Sequence, residues 1–241
     1  MAKIVVATIT CDFKAYSLQQ VLANNADLET PEGFQKAIYV NIEGDAQNNP
    51  KLLYSLTRTP GAISYDEWQW RSTWRGERGY DQDQGYRLPP ICIARNMARE
   101  FAMHHDADAI LYVDSDVLIP RNSIPRLWET GRNIVGGLVP GRGAHSHVYY
   151  TGSGQHRRQA GKDLLELDYA TAGFVLIRKP VYRAIAWRWG DTHEGDGPIS
   201  EDPLFGYDAR KAGFGWWYVC TDLKAEHLDD KEHSLTETAK F

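Results

Sequence analysis

The stretch Ala109-Ile110-Leu111-Tyr112-Val113-Asp114-Ser115-Asp116-Val117 is an apolar run ending in two carboxylates one residue apart. A run of this kind reads as a strand buried on both faces of an α/β sheet. Asp114 and Asp116 fall where the strand leaves the sheet, at the carboxyl edge where open α/β sheets bind ligands. Two carboxylates there can hold a divalent cation whose other positions stay open to phosphate oxygens. They can also cap a loop and bind no metal, with Asp116 as an exposed strand-end carboxylate. The surrounding sequence weighs between these readings.

Upstream, Pro90 to His105 carries Ile91, Ala94, Met97, Ala98 and Phe101 at helical spacing and leads into the apolar strand. Lys3 to Thr10 is a β-branched strand, Ser17 to Asn25 a helix with Ser17 as its cap, and Lys36 to Ile42 a second strand. Strand, helix, strand is the opening of a parallel sheet. Residues 45–90 read as mostly irregular, with a helical turn or two around Pro50 to Thr57. Downstream, Ser123 to Thr130, Pro180 to Trp187 and Glu201 to Ala212 read as helices. Asn133 to Val139, Leu164 to Ala170, Gly173 to Ile177 and Trp216 to Cys220 read as strands. No repeat or linker interrupts the pattern, so residues 1–241 are expected to form a single α/β domain.

A chain of 241 residues, 42% hydrophobic, can bury one sizeable core. The formal net charge of -5 argues against a general nucleic-acid coat, although not against a local basic groove. Cys11, Cys92 and Cys220 show neither metal spacing nor a disulfide framework, which suits a reducing cytoplasm. The opening apolar run is too short for a signal segment, and no stretch approaches the length of a bilayer span. A soluble, cytoplasmic protein is the expectation.

Two stretches stand apart. Ser64 to Arg87 holds Trp68, Trp70, Trp74 and several arginines with acids interleaved; a loop this long is usually functional, and its aromatics argue against disorder. Residues 138–162 are Gly-rich, with Arg142, Arg157, Arg158, Lys162, three histidines and no acid. They read as a mobile surface loop or as a cationic lid over phosphates.

Taken together, these features resemble the GT-A-fold, Asp-x-Asp metal-dependent glycosyltransferases, with the nearest likeness to small phage-encoded members and the Anp1-like mannosyltransferases. The likeness runs from Lys3 to about Asp229. Ala94-Arg95-Asn96-Met97-Ala98 looks like the Arg-Asn helix ahead of the Asp-x-Asp strand, and Thr171-Ala172-Gly173-Phe174-Val175-Leu176-Ile177-Arg178 like the small-residue strand of the acceptor site. Ser200-Glu201-Asp202-Pro203-Leu204-Phe205 looks like the Glu-Asp helix, and His227 sits where many members carry a third metal ligand. The implied fold is Rossmann-like: a mostly parallel central sheet, flanking helices and a small acceptor-side sheet. Its nucleotide-binding part is about 1–117 and its acceptor part about 118–241.

The resemblance implies transfer of a hexosyl or pentosyl group from a nucleotide-sugar, a UDP-sugar in the first instance, to an acceptor hydroxyl. Asp114, Asp116 and His227 would hold Mn²⁺ or Mg²⁺, with the imidazole favouring Mn²⁺. Thr8, Thr10 and Asp12 would meet the base, with Glu43 and Asp45 in reach of base or ribose; either set can instead cap strand ends. Arg95 would touch the nucleotide or sugar, or bridge to Asp114. Asp202, with Glu201 beside it, is the candidate general base; both also suit a helix first turn by offsetting its dipole.

The acceptor is either a hydroxymethylated pyrimidine in DNA, as a phage enzyme acting in the host cytoplasm would use, or a saccharide or small-molecule hydroxyl. In the DNA reading Trp68, Trp70 and Trp74 stack on a flipped base and Arg157 and Arg158 meet phosphates. A sugar nucleotidyltransferase would bring a glycine-rich phosphate loop after the first strand, where this chain has Thr10-Cys11-Asp12-Phe13-Lys14. A carbohydrate-binding module with a structural ion leaves Asp202 without a role.

Overall fold

Strand β1 (Ala2–Cys11) is flanked by two parallel partners, β2 (Phe34–Glu43) on one side and β3 (Ala109–Asp114) on the other. The computed structural model describes residues 2–11, 15–43, 88–140, 157–191, 198–199 and 201–228. The expected helical turns near Pro50, the aromatic loop of residues 64–87 and most of the glycine-rich stretch lie outside the described residues.

Beyond β3 the sheet continues through β8 (Phe174–Arg178), β5 (Ile134–Leu138), β11 (Trp217–Lys224), β7 (Leu164–Leu167) and β6 (Arg157–Gly161), in the order β2-β1-β3-β8-β5-β11-β7-β6. β8 runs against both neighbours, and β7 runs against β11 and β6. The other six of the eight strands therefore point one way.

Helices cover both faces, which is why β1 and β3 are apolar without alternation. Val5, Ala7, Ile110 and Tyr112 pack under α2 (Leu88–His104), α4 (Lys179–Ala184) and α5 (Glu201–Lys211). Ile4, Val6, Leu111 and Val113 face α1 (Ala15–Asp27) and α3 (Ser123–Glu129). The Gly136-Gly137 pair in β5 has a packing cause: a Cβ on Gly136 would collide with the carbonyl of Phe174, and one on Gly137 with its ring. Among the described residues there are also two short pairs, β4 (Val117–Leu118) with β12 (Glu226–His227), and β9 (Gly190–Asp191) with β10 (Pro198–Ile199).

Several boundaries differ from the sequence reading. Helix α1 begins at Ala15, so Ser17 is no cap; its buried hydroxyl donates to the Ser115 carbonyl at 2.7 Å and ties the helix to the Asp-x-Asp turn. α4 stops at Ala184 because Ile185 is extended (φ -112, ψ 124). β7 ends at Leu167, and the last strand runs on to Lys224, keeping Leu223 buried. Residues 157–161 are no loop but the edge strand β6, since they pair with β7. No helix among the described residues is long and apolar enough to cross a membrane.

Candidate active site at the carboxyl edge of the sheet

β3 ends at Asp114, whose backbone N–H donates to the Gly173 carbonyl at 3.0 Å across from β8. The approach is tight: a Cβ on Gly173 would stand 2.8 Å from Asp114 Oδ2, so only glycine fits under that carboxylate. After the Ser115 turn the chain enters β4, and the Leu228 N–H donates to the Asp116 carbonyl at 2.7 Å. The β4–β12 register sets His227 opposite Val117 and brings its Nε2 to 3.3 Å from Asp116 Oδ2.

The ring orientation is informative. His227 Nδ1 lies 2.9 Å from the Pro140 carbonyl, which can only accept, so Nδ1 carries a proton. In the neutral ring the Nε2 lone pair then faces the Asp116 carboxylate. Two lone pairs facing each other repel unless a cation, a proton or a metal ion, lies between them. Asp116 is fully buried, not the exposed carboxylate expected from its strand-end position, because the β4–β12 pair closes over it.

A second cluster forms around α2. Arg95 is buried, and one guanidinium nitrogen bonds both Glu201 Oε1 at 2.8 Å and Asp202 Oδ1 at 3.1 Å. Its other terminal nitrogen lies 3.9 Å from Asp114 Oδ1. Trp187 covers the guanidinium at 4.7 Å and stacks on Phe205 of α5 at 4.1 Å. Asn96 holds Trp187 in place by bonding its backbone N–H at 2.9 Å and its carbonyl at 2.8 Å. The two polar residues of the Arg-Asn helix thus have distinct roles, one gathering carboxylates and the other fixing the ring above them. Burial pushes the Asp202 carboxyl up to about 7; Arg95 and the Ala172 N–H oppose this, and the charges of Glu201 and Asp114 add to it. A carboxylate so tuned suits proton transfer near neutrality.

Some expectations are not met. Thr8 is fully buried and its hydroxyl accepts from Asn25 Nδ2 at 2.8 Å, so it faces α1 rather than a base. Arg95 does bridge to Asp114, at 3.9 Å, but its shorter bonds go to Glu201 and Asp202. Asp116 and His227 meet, but among the described residues no three acidic, His or Cys side chains converge on one metal position, and Asp114 faces Arg95 instead. Thr10 is buried, and its hydroxyl has no hydrogen-bond partner among the described residues. Asp12, Asp45, Trp68, Trp70 and Trp74 lie outside the described residues, as do the side chains of Glu43 and Arg157. Arg158 is exposed on β6, opposite Glu166 of β7. Trp187 escaped the sequence reading because it fell at the end of the helix read over Pro180 to Trp187; the structure buries it in the core, where its ring also covers Arg95.

No protein-family model matches this sequence, and no curated protein matches it. Solved structures do. TarS from S. aureus, residues 1–349 in complex with UDP-GlcNAc, superposes with a TM-score of 0.56 at 14% identity over 96% of this chain and 60% of that one. The same protein in complex with UDP gives a TM-score of 0.51 at 14% identity, over 92% of this chain and 60% of that one. A197 from STIV aligns at a TM-score of 0.47 and 14% identity, over 95% of this chain and 87% of its own. This chain therefore spans about three fifths of the TarS structure. The sheet order, the flanking helices and the TarS superposition define the fold as GT-A, the mostly parallel α/β architecture of glycosyltransferases.

Proposed function

We propose that this chain is a glycosyltransferase that moves a sugar from a nucleotide-sugar, a UDP-sugar, to an acceptor hydroxyl. The observation that carries this reading is one shared edge of the sheet. Asp114, the Asp116–His227 pair and the Arg95–Glu201–Asp202 cluster all gather at the carboxyl end of β3. TarS, which shares the fold, has been solved with UDP-GlcNAc. The donor half is about 1–117, with Thr10 and Asp12 as candidate base contacts, and the acceptor half about 118–241.

In the proposed reaction the acceptor oxygen attacks the anomeric carbon while the bond from that carbon to the β-phosphate oxygen breaks. Its electron pair stays on the nucleoside diphosphate, and the acceptor's proton passes to the Asp202 carboxylate. Asp116 and His227 fit a divalent cation, Mn²⁺ ahead of Mg²⁺ because one ligand is imidazole. Asp114 would reach that ion through water or the ribose. A bound ion supplies Lewis-acid stabilisation of the diphosphate leaving group.

A saccharide or small-molecule hydroxyl suits the described surface, where the acidic Glu166 stands opposite Arg158 in the β6–β7 register. A hydroxymethylated pyrimidine in DNA is the second reading, supported by the exposure of Arg158 on an edge strand. The test is a panel of nucleotides and nucleotide-sugars, with and without Mn²⁺, followed by thermal stability and then by mass spectrometry of candidate acceptors. Binding stabilises by mass action. A protein that no nucleotide-sugar stabilises and that transfers to no hydroxyl lies outside this reading.

A further inference from the structure

We infer that Glu201 is not a second proton acceptor but half of a positioning pair: it holds the Arg95 guanidinium beside Asp202, and the two together decide when Asp202 is free to take the acceptor's proton. This rests on Asp202 being the base proposed above.

The geometry sets up a competition. A single guanidinium nitrogen serves both Glu201 at 2.8 Å and Asp202 at 3.1 Å, and the shorter bond goes to Glu201. One cation in contact with two carboxylates, with a third at 3.9 Å, cannot neutralise all of them. Nor can the Arg95 guanidinium swing away freely: its side chain is 5% exposed and Trp187 lies across its face. Glu201 is itself only 8% exposed, which leaves little room for a reacting hydroxyl, whereas Asp202 at 16% keeps the larger exposed share.

The groups that face Asp202 come from every packed element. They are Arg95 and Cys92 from α2, Glu201 from its own helix, Asp114 from β3, and the Ala172 N–H from the turn before β8. Burial holds the Cys92 thiol up at about 12, so it stays neutral and adds no charge. The N-terminus of α5 also favours an anion at its second residue. Against this fixed background, the Arg95–Glu201 pair is the adjustable element.

Removing the charge of Glu201 lowers the proton affinity of Asp202 in two ways: a repelling carboxylate disappears, and the shared nitrogen donates fully to Asp202. Removing the charge of Arg95 raises it. The readout is the titration of the Asp202 side chain by carboxyl ¹³C NMR in the full chain, with its signal identified by its loss in Asp202→Asn. Glu201→Gln should move the midpoint down by about one pH unit or more, and Arg95→Met should move it up. Wherever transfer is measurable, the acidic limb of the pH–rate profile should follow the same shifts. A purely scaffolding role would lower stability in both variants and leave the midpoint where it was; that result overturns the inference, as does an upward shift in Glu201→Gln. Should Arg95→Met not fold, the near-isosteric Glu201→Gln decides alone. Should no sugar transfer be found, the functional reading falls while the titration still tests the pair.

Discussion

Gly173 lies directly against the Asp114 carboxylate, closer than any side-chain-bearing residue could approach, since its Cβ would stand 2.8 Å from Oδ2. One residue in the turn before β8 therefore fixes where the last carboxylate of β3 points. Gly173→Ala should displace Asp114 and cost about 1–3 kcal/mol, the usual penalty for overpacking a tight contact. Urea denaturation gives the stability change, and nucleotide-sugar turnover should fall well beyond what lost folding explains. An alanine variant with wild-type stability would show that the Asp114 side chain can move without cost.

Asp116 is buried while its partner His227 is only partly so, and their substitutions should not behave alike. Asp116→Ala leaves the imidazole facing an apolar hole and should destabilise by about 1–3 kcal/mol. His227→Ala should fold and lose most of the stabilisation that Mn²⁺ confers. Melting temperatures with EDTA and with added Mn²⁺ measure both. Equal Mn²⁺ stabilisation of wild type and His227→Ala would remove the imidazole from the metal site.

For Asp202, exchange to Asn should cut kcat by about 10²- to 10⁴-fold, the usual contribution of a general base, while donor affinity stays near normal. Near-normal kcat would end the assignment. Because a base must be unprotonated, the wild-type rate should fall as pH drops below about 7.

The same residue makes a stability prediction of opposite appearance. The Asp202 carboxyl is raised from 3.8 to about 7 on folding, so the folded chain holds this proton more tightly than the unfolded chain. That contribution is fully present below pH 3.8 and lost as pH rises through about 7. Asn has no charge to bury, so Asp202→Asn should gain stability relative to wild type between pH 4 and pH 8. Paired denaturation curves at those two pH values check the sign, and a constant difference would show that Asp202 titrates normally.

On the acceptor, a DNA substrate predicts duplex binding that weakens steeply with salt and a shallower slope in an Arg157→Ala, Arg158→Ala double variant. Trp74→Ala should then cost about 1–3 kcal/mol of affinity for each lost stack. A neutral saccharide releases no counterions and predicts almost no salt dependence. Filter binding from 50 to 300 mM salt, on the order of the range over which such slopes develop, separates the two acceptors.

Local pattern was enough to find the strand ending at Asp114, the opening βαβ unit, the helix bearing Arg95 and Asn96, and the helix that opens with Glu201 and Asp202. Each depends on side-chain periodicity and on residues adjacent in the chain, which a sequence displays directly. Facing and partnership are non-local. Thr8 looked like a strand-end hydrogen-bonder, yet the pleat of β1 turns it under α1 to meet Asn25. Arg157 and Arg158 looked like part of a loop until the pairing with β7 made them an edge strand. Asp116 looked exposed until the antiparallel pairing of β4 with β12 closed over it and delivered His227. Arg95 could have paired with a ligand or with Asp114; the fold keeps Asp114 at 3.9 Å and adds Glu201 and Asp202 from α5 at shorter range. The sequence by itself determined which elements form and which of them carry Arg95, Asp114, Glu201 and Asp202. Only the tertiary structure decided which charges are buried together, because burial and strand pairing join residues whose separation along the chain leaves no periodic trace.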